Sequence, residues 1–508
     1  MPPKAVPLPT YNQVTKHNLA AIQPMIVQLL KHASFIALDA EFTGLGSNLN
    51  ATRANDMQER YHNLSNLAKS HALVAFGLSI FILDKAQGSD TPNPDQAYKV
   101  HNFNFSMLFE KDYMVSPRSM LFLAENGLDL NQWILEGIPY TGGDRLNNQG
   151  GRGNPNGIMR SIFKRIMNQH VPVVVHNGFL DLIFLYHSFY ADLPPNLAMF
   201  VADLSDMFPG GLYDTKYVSD YITREQSSFL AYLFRKYERQ DARSSSQHKS
   251  KDTPDSKPVK FYSTFDVQGR LPLPPQLIRQ EPTSVVPEKN ANQPVFCQDY
   301  ARHGVCKKNM KCGRSHDLDV ILDAEEAAME AKKNKRRKTK ANTDTSDQVA
   351  DNTTPQHEVV MSILPQNDAS ETSAHRPKED TENVTSGAPD VNRDSTSEKP
   401  DASTETLCTS GTTKVMAQTI ADETLKRSCS SGGTSAEKFH SAYFDAFMTG
   451  TIFAHQLNEH GSNEVETSAK NNIYLIGKSF PLKIEKSVFS KFSPGHERQR
   501  QGARVPEK

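Results

Sequence analysis

The 508-residue sequence predicts an α/β body that is interrupted by a long insertion and then completed near its end. Three features point there. Short apolar runs alternate with segments of helical period through residues 15–240. A compact Cys/His unit stands at 294–318. No Phe, Tyr or Trp occurs between Tyr300 and Phe439, and then "EKFHSAYFDAFMTG" (437–450) brings aromatics back in an amphipathic pattern.

Each element has a local reason. "SFIALDAEF" (34–42) is an apolar run ending in acids, which reads as a buried strand. "ALVAFGLSIFIL" (72–83) and "YKVHNFNF" (98–105) are strand-like, the second with alternating character. "IMRSIFKRIMNQH" (158–170) spaces Ile158, Ile162, Ile166 and Met167 for one helical face. "VPVVV" (171–175) is a buried strand, and "NGFLDLIFLYHSFY" (177–190) a buried helix. "NNQGGRGNPNG" (147–157) is a loop by its Gly and Asn content. "SSFLAYLFRKYER" (227–239) closes the N-terminal body. Residues 241–293 are rich in Ser, Lys, Pro and Gln and read as a linker. "DLDVILDAEEAAMEAKKNKRRK" (317–338) has helical character. Residues 341–435 are polar and free of aromatics, the composition of a disordered segment. Order is expected again at 436–482, with a strand-like "NNIYLIGKSF" (471–480), followed by a tail at 483–508.

Composition bounds the function. The formal net charge is −1 and the hydrophobic fraction 37%, low enough to imply that part of the chain builds no core. The five cysteines are odd in number and three fall within twenty residues, unlike a secreted disulfide framework. The sequence starts without an apolar leader, and no apolar run approaches the ~20 residues of a membrane span. A protein of a reducing intracellular compartment, without membrane contact, is expected.

Cys297, Cys306, Cys312 and His316 are spaced C-x8-C-x5-C-x3-H. Three thiolates and an imidazole form a recognised tetrahedral set for one structural Zn2+. A unit this short buries little core, so the metal must supply its folding free energy. The alternative of scattered thiols fails on three spacings at once. Phe296 and Tyr300 can stack on unpaired bases or simply pack on the metal site. Arg302, Lys307, Lys308, Lys311 and Arg314 suit phosphate contact. The spacing resembles that of CCCH zinc fingers, a family mostly associated with RNA.

A second set is acidic. Asp39 and Glu41 end the first strand two residues apart, so both point to one side. Asp181 interrupts an apolar helix, where an uncompensated charge is costly. Asp445 lies between Phe444 and Phe447. His440 and Asp445 are spaced H-x4-D. Together these residues resemble the His-containing DEDD exonucleases, because serine stands at 441 where the Tyr subtype has tyrosine. "FIALDAEFTGL", "VVVHNGFLDLIFLY", "MFPGGLYDTKY" and "HSAYFDAFMTG" resemble successive motifs of the deadenylase branch, which holds poly(A)-specific ribonuclease and the Caf/Pop-type enzymes.

The resemblance covers 34–238, 294–340 and 437–480. It implies a ribonuclease H-like fold, with a mixed sheet and helices on both faces. It implies that Asp39, Glu41, Asp181 and Asp445 hold two divalent ions, Mg2+ or Mn2+, and that His440 is the general base. Asp214, in "LYDTKY", is read as structural. The activity implied is 3′→5′ exoribonuclease action on oligo(A) or extended 3′ tails, including those of small nuclear and other noncoding RNAs. Two other classes stay open: a non-catalytic RNA adaptor that binds through the finger, and a DNA exonuclease of the same superfamily. Lys332, Lys333, Lys335, Arg336, Arg337, Lys338 and Lys340 resemble a nuclear localisation signal, against the alternatives of a solvated helix end or a phosphate contact. A nuclear address implies nuclear RNA-processing partners. The branch also contains homo-oligomers.

Overall fold

A computed structural model describes residues 11–45, 53–84, 97–144, 154–246, 259–263, 296–308, 311–344 and 441–503. The expected disordered tract lies outside them from residue 345 onward, as does His440. The chain divides into two units, Met1–Ala331 with Thr434–Lys508, and Lys332–Gly433. Of the second unit only residues 332–344 are described, and they are helical.

The first unit is built on one ten-stranded mixed sheet. Its strands are β1 (Asn12–Val14), β2 (Phe35–Phe42), β3 (Leu73–Leu83), β4 (Ala97–Phe109), β5 (Ile138–Tyr140), β6 (Val173–Val175), β7 (Leu212–Asp214), β8 (Lys260–Ser263), β9 (Asn472–Ile473) and β10 (Leu482–Lys483). The main order is β1-β4-β3-β2-β6-β7-β9-β10, with β5 and β8 both on β4. The pairs β4–β3 and β3–β2 are antiparallel, whereas β6, β7 and β9 extend from β2 in parallel.

Helices cover both faces. Strand alternation explains why: Ile36, Leu38 and Ala40 belong to one apolar cluster, while Phe35 and Ala37 belong to the other. The first face carries α1 (Leu19–Leu30), α2 (Met57–Ser70), α5 (Pro155–Met167), α6 (Phe179–Phe189) and α7 (Leu197–Met207). The short helices α3 (Pro117–Glu125) and α4 (Leu130–Glu136) sit on Val74 through Leu123 and Trp133. After β7 come a single turn, α8 (Thr215–Tyr217), and a π-helical turn at Val218–Ile222. The second face carries α9 (Leu230–Ser246), α10 (Gln298–His303), the first turns of α11 (Leu318–Asp344) through Leu318, Ile321 and Leu322, and α12 (Ala442–His460). Then α13 (Ser462–Ala469) and α14 (Pro494–Ala503) finish the chain. No helix among the described residues is long and apolar enough to cross a membrane.

Three expectations change. The linker expected from 241 begins inside α9, and β8 lies within it, paired in parallel with Ala97–Val100 of β4. Polar composition hid β8 because only Phe261 and Tyr262 mark it. The strand expected over 471–480 is reduced to Asn472–Ile473, since the chain turns with Gly477 at φ +73°. β10 straddles the start of the expected tail at 483, and the tail holds α14, anchored by Ser493 and His496, both buried. Ser493 donates its backbone N–H to Asp203 at 3.0 Å, and His496 lies 2.6 Å from the Tyr190 hydroxyl and 3.0 Å from Asp206.

Candidate active site and metal centres

The carboxylate cluster is assembled from three elements. Asp39 and Glu41 lie on the β2 face that α12 covers, by the same alternation that places Phe35 and Ala37 there. α12 brings Asp445 to them: one ligand atom each of Asp39, Glu41 and Asp445 lies within 4.8 Å of the others. α6 brings Asp181 near enough for its charge to act on Asp39, although it lies outside that group of three. Asp181 and Asp445 both stand in the first turn of their helices, where the macrodipole favours negative charge.

Two local features place these helices. The turn from β6 into α6 needs Asn177 at φ +57°, a conformation that Asn tolerates, and then Gly178, where a Cβ would meet that of Val175 at 2.4 Å. Buried Asp214 holds this turn. It accepts the N–H groups of Asn177 at 2.8 Å, Gly178 at 3.3 Å, Lys216 at 3.0 Å and Tyr474 at 3.0 Å. For α12 the decisive residue is Gly77, opposite Asp39 in the β2–β3 register. A Cβ there would lie 1.9 Å from the carbonyl oxygen of Ala442, so only glycine admits the first turn of α12 onto the sheet. Tyr443 stacks on Tyr11 at 3.7 Å, and Phe444 and Phe447 pack edge-on against Phe234 of α9.

Three like charges at such distances, with a fourth on Asp181 nearby, repel. Asp445 is 6% exposed. Part of Asp39 reaches solvent, yet loss of hydration lifts its carboxyl well above the usual range, and the Asp445, Asp181 and Glu41 charges lift it further. Asp181 is pushed up to about 7 by burial, with Asp214 and Asp445 adding to it. An all-oxygen, multiply anionic donor set fits hard divalent cations such as Mg2+ or Mn2+, which would return these groups to their charged forms.

The Cys/His residues also meet. One atom each of Cys297, Cys306, Cys312 and His316 lies within 4.8 Å of the others, which suits one Zn2+. Cys297 is buried ahead of α10 and donates its N–H to the Ser315 carbonyl at 2.9 Å, closing the loop between first and last ligand. His316 Nε2 is buried without a hydrogen-bond partner among the described residues, as a metal-facing nitrogen would be.

The residues singled out for RNA contact divide. Arg302, Lys307, Lys308, Lys311 and Arg314 are exposed. Tyr300 stacks on His316 at 4.5 Å and meets Phe229 edge-on at 5.8 Å, so one ring face is taken by the metal site. Phe296 and Tyr300 both pack on the second apolar cluster, the one that holds α12. The basic run lies on α11, and of its basic side chains only Lys332 is described, as exposed.

Sequence reasoning missed the interlock that joins this unit to the nuclease body. Arg235 grips Asp319 with two bonds of 2.9 Å, Arg239 reaches Asp319, Asp323 and Glu326, and Arg243 reaches Glu326. The signal was present as Arg235, Arg239 and Arg243, four residues apart along "RKYERQDAR", facing the acids of "DLDVILDAEEA", but only a known pairing of the helices gives it meaning.

The profile of the CAF1 family ribonucleases matches residues 14–152 and 145–453. The poly(A)-specific ribonuclease PARN of Xenopus laevis is 28% identical over 140 residues, which are 25% of this chain and 21% of that protein. The pre-piRNA 3'-exonuclease trimmer of Bombyx mori is 34% identical over 64 residues, 13% of this chain and 12% of the relative. The chain thus spans about a fifth or less of the length of these relatives. The Mg2+- and Mn2+-bound structure of S. pombe Pop2p is 17% identical, covers 45% of this chain and 82% of its own, and superposes with a TM-score of 0.33.

Proposed function

The chain belongs to the CAF1 ribonuclease family, and from that premise we propose that it is a metal-dependent 3′→5′ exoribonuclease of the poly(A)-specific type, trimming oligo(A) or extended 3′ tails of RNA. The observation that carries this reading is the convergence of Asp39, Glu41 and Asp445 within 4.8 Å, from chain segments some four hundred residues apart, with the Asp181 charge near enough to act on Asp39. A merely structural surface has no reason to gather acids whose charges raise the Asp39 and Asp181 carboxyls.

Asp39, Glu41, Asp181 and Asp445 would hold the divalent ions. When bound, such ions stabilise charge on the attacking and leaving oxygens of an in-line phosphodiester displacement. The chain's own part is to fix the geometry: Asp214 sets the entry of α6, Gly77 sets the approach of α12, and the apolar wall of Tyr443, Phe444 and Phe447 holds that helix down. His440, one residue before the Ser441 cap of α12, is the general base in this reading, since an imidazole of ordinary pKa near 6.5 accepts a proton at neutral pH. The finger binds the RNA body and takes one Zn2+. The basic run addresses the chain to the nucleus, where noncoding RNA 3′ ends and their processing proteins are met.

The reading is tested by incubating 5′-labelled RNAs ending in A, U or C with the full chain. Stepwise 3′ shortening in Mg2+, fastest on A and absent in EDTA, is expected. Intact RNA in Mg2+ leaves the adaptor reading instead.

A further inference from the structure

We infer that residues 474–492, which sequence alone divides between a strand and a tail, form a single-stranded RNA platform beside the carboxylate cluster; the inference rests on the exoribonuclease reading and extends it to how the strand upstream of the cut is held.

The segment departs directly from the site. The N–H of Tyr474 is held by Asp214, the same carboxylate that holds the turn ahead of Asp181. Further on, the Lys478 carbonyl takes the Tyr221 hydroxyl at 2.8 Å, and Arg60 donates to the Ile476 carbonyl at 3.0 Å. Tyr474 on Asp214 and Ser493 on Asp203 fix the two ends, and Ile484 is buried midway between them. Around these anchors, exposed aromatic and cationic side chains interleave, while Lys478 is half-buried with its ammonium on the Asn55 carbonyl. Phe480 is 50% exposed and Phe489 is 94% exposed. Lys478 lies 5.8 Å from the Phe480 ring centre, and Lys486 lies 5.4 Å from that of Phe492. The stretch carries four lysines and one glutamate, and that Glu485 is already paired with Lys483 at 2.5 Å.

This chemistry fits one occupant. A carboxylate cluster repels a polyanion, so a strand approaching it needs cations on the way in. Lysines serve the phosphates, and exposed rings offer faces for unpaired bases of any sequence. An apolar protein partner would gain little from lysines placed between the rings, and duplex RNA would hide its base faces.

The test uses the full chain in Mg2+-free buffer and fluorescence anisotropy with oligo(A) of about five and about twenty nucleotides, lengths that bracket a typical single-strand site. A Phe480→Ala/Phe489→Ala pair should weaken binding of the longer strand by about tenfold or more, with far less effect on the shorter one. A Phe480→Tyr/Phe489→Tyr pair should restore it. A Lys486→Gln/Lys491→Gln pair should flatten the slope of log affinity against log salt by about 1.4, at roughly 0.7 for each phosphate no longer neutralised. Wild-type affinity and slope in both variants, in a protein that still trims RNA, overturn the platform and leave the enzyme reading standing. A wild-type chain that neither binds the long strand nor trims it overturns both.

Discussion

Gly77→Ala isolates the geometric core of the account with a single methyl group. The added Cβ would sit 1.9 Å from the Ala442 oxygen and 2.2 Å from its carbon, where ordinary contact begins near 3.4 Å. Both neighbours are backbone, so no rotamer change relieves the clash, and the first turn of α12 must retreat by ~1.5 Å or β3 must bend. Asp445 stands three residues into that turn. Overpacking of this kind costs about 1–3 kcal/mol. At about 2–4 °C per kcal/mol for a domain of this class, the melting temperature should fall by several degrees while the fold survives. The catalytic loss should be larger, because a misplacement of about 1 Å at a site of this kind costs about 100-fold. Thermal melts and single-turnover trimming of 5′-labelled oligo(A) RNA in Mg2+ check both numbers. A Gly77→Ala protein that melts a few degrees lower and trims at the wild-type rate would show that the α12 approach does not set the site, and would refute the reasoning.

Three further outcomes follow from the same structure. Asp39 and Asp181 have folded pKa values raised above those of unfolded carboxylates, Asp181 to about 7. The divalent-free protein therefore has its full share of this stability at acid pH and loses it as pH rises toward and through about 7. Added Mg2+ should raise the melting temperature more at pH 8 than at pH 5, and Asp181→Asn should shrink that difference; an equal gain at both pH values counts against the cluster. His440→Ala should slow trimming by about 10²–10⁴-fold, the usual worth of a general base, while Mn2+ binding persists; an unchanged rate where chemistry limits turnover assigns the proton elsewhere. Cys312→Ser should reduce bound zinc from one to zero and weaken RNA binding. It should also lower the melting temperature, since Tyr300 and Ala301 share an apolar cluster with α12. Unchanged melting would mean that the finger is an independent bead.

Much of this arrangement was legible because it is written in local patterns. The run "FIALDAEF" shows a buried strand that ends in charge, and Asp181 stands out as an acid in an apolar helix; both readings need only period and burial cost. The return of aromatics at 437–450 pointed to a helix that completes the N-terminal body, and α12 does so with Tyr443, Phe444 and Phe447 in the same cluster as Phe35 and Phe81. The long insertion is cheap. Closure entropy grows only as the logarithm of length, about 2.6 kcal/mol between a ten-residue loop and one of 196, an upper bound because β8, α10 and α11 pack on the body within that span, and one or two buried aromatic side chains offset it.

What escaped was non-local. Gly77 reads as an ordinary weak spot in a strand until α12 is placed across it. Asp214 is one acid in a short motif until four N–H donors from three segments are seen around it. β8 has four residues and a polar neighbourhood, so only its partner β4 defines it. The segment after β9 was divided between a strand and a tail because its anchors, Asp203, Tyr190 and Asp206, lie about three hundred residues upstream.

The central claim is that acids from both ends of the interrupted chain act together on RNA through divalent ions. It is tested most directly by comparing the full chain with Asp445→Asn, a change of nearly equal volume that removes one charge from the returning segment. Both are incubated with 5′-labelled, oligo(A)-tailed RNA in Mg2+, and the products are resolved at single-nucleotide steps. A descending 3′ ladder is expected for the wild type and intact RNA for Asp445→Asn, with RNA binding retained. An Asp445→Asn protein that yields the same ladder at the same rate would contradict it.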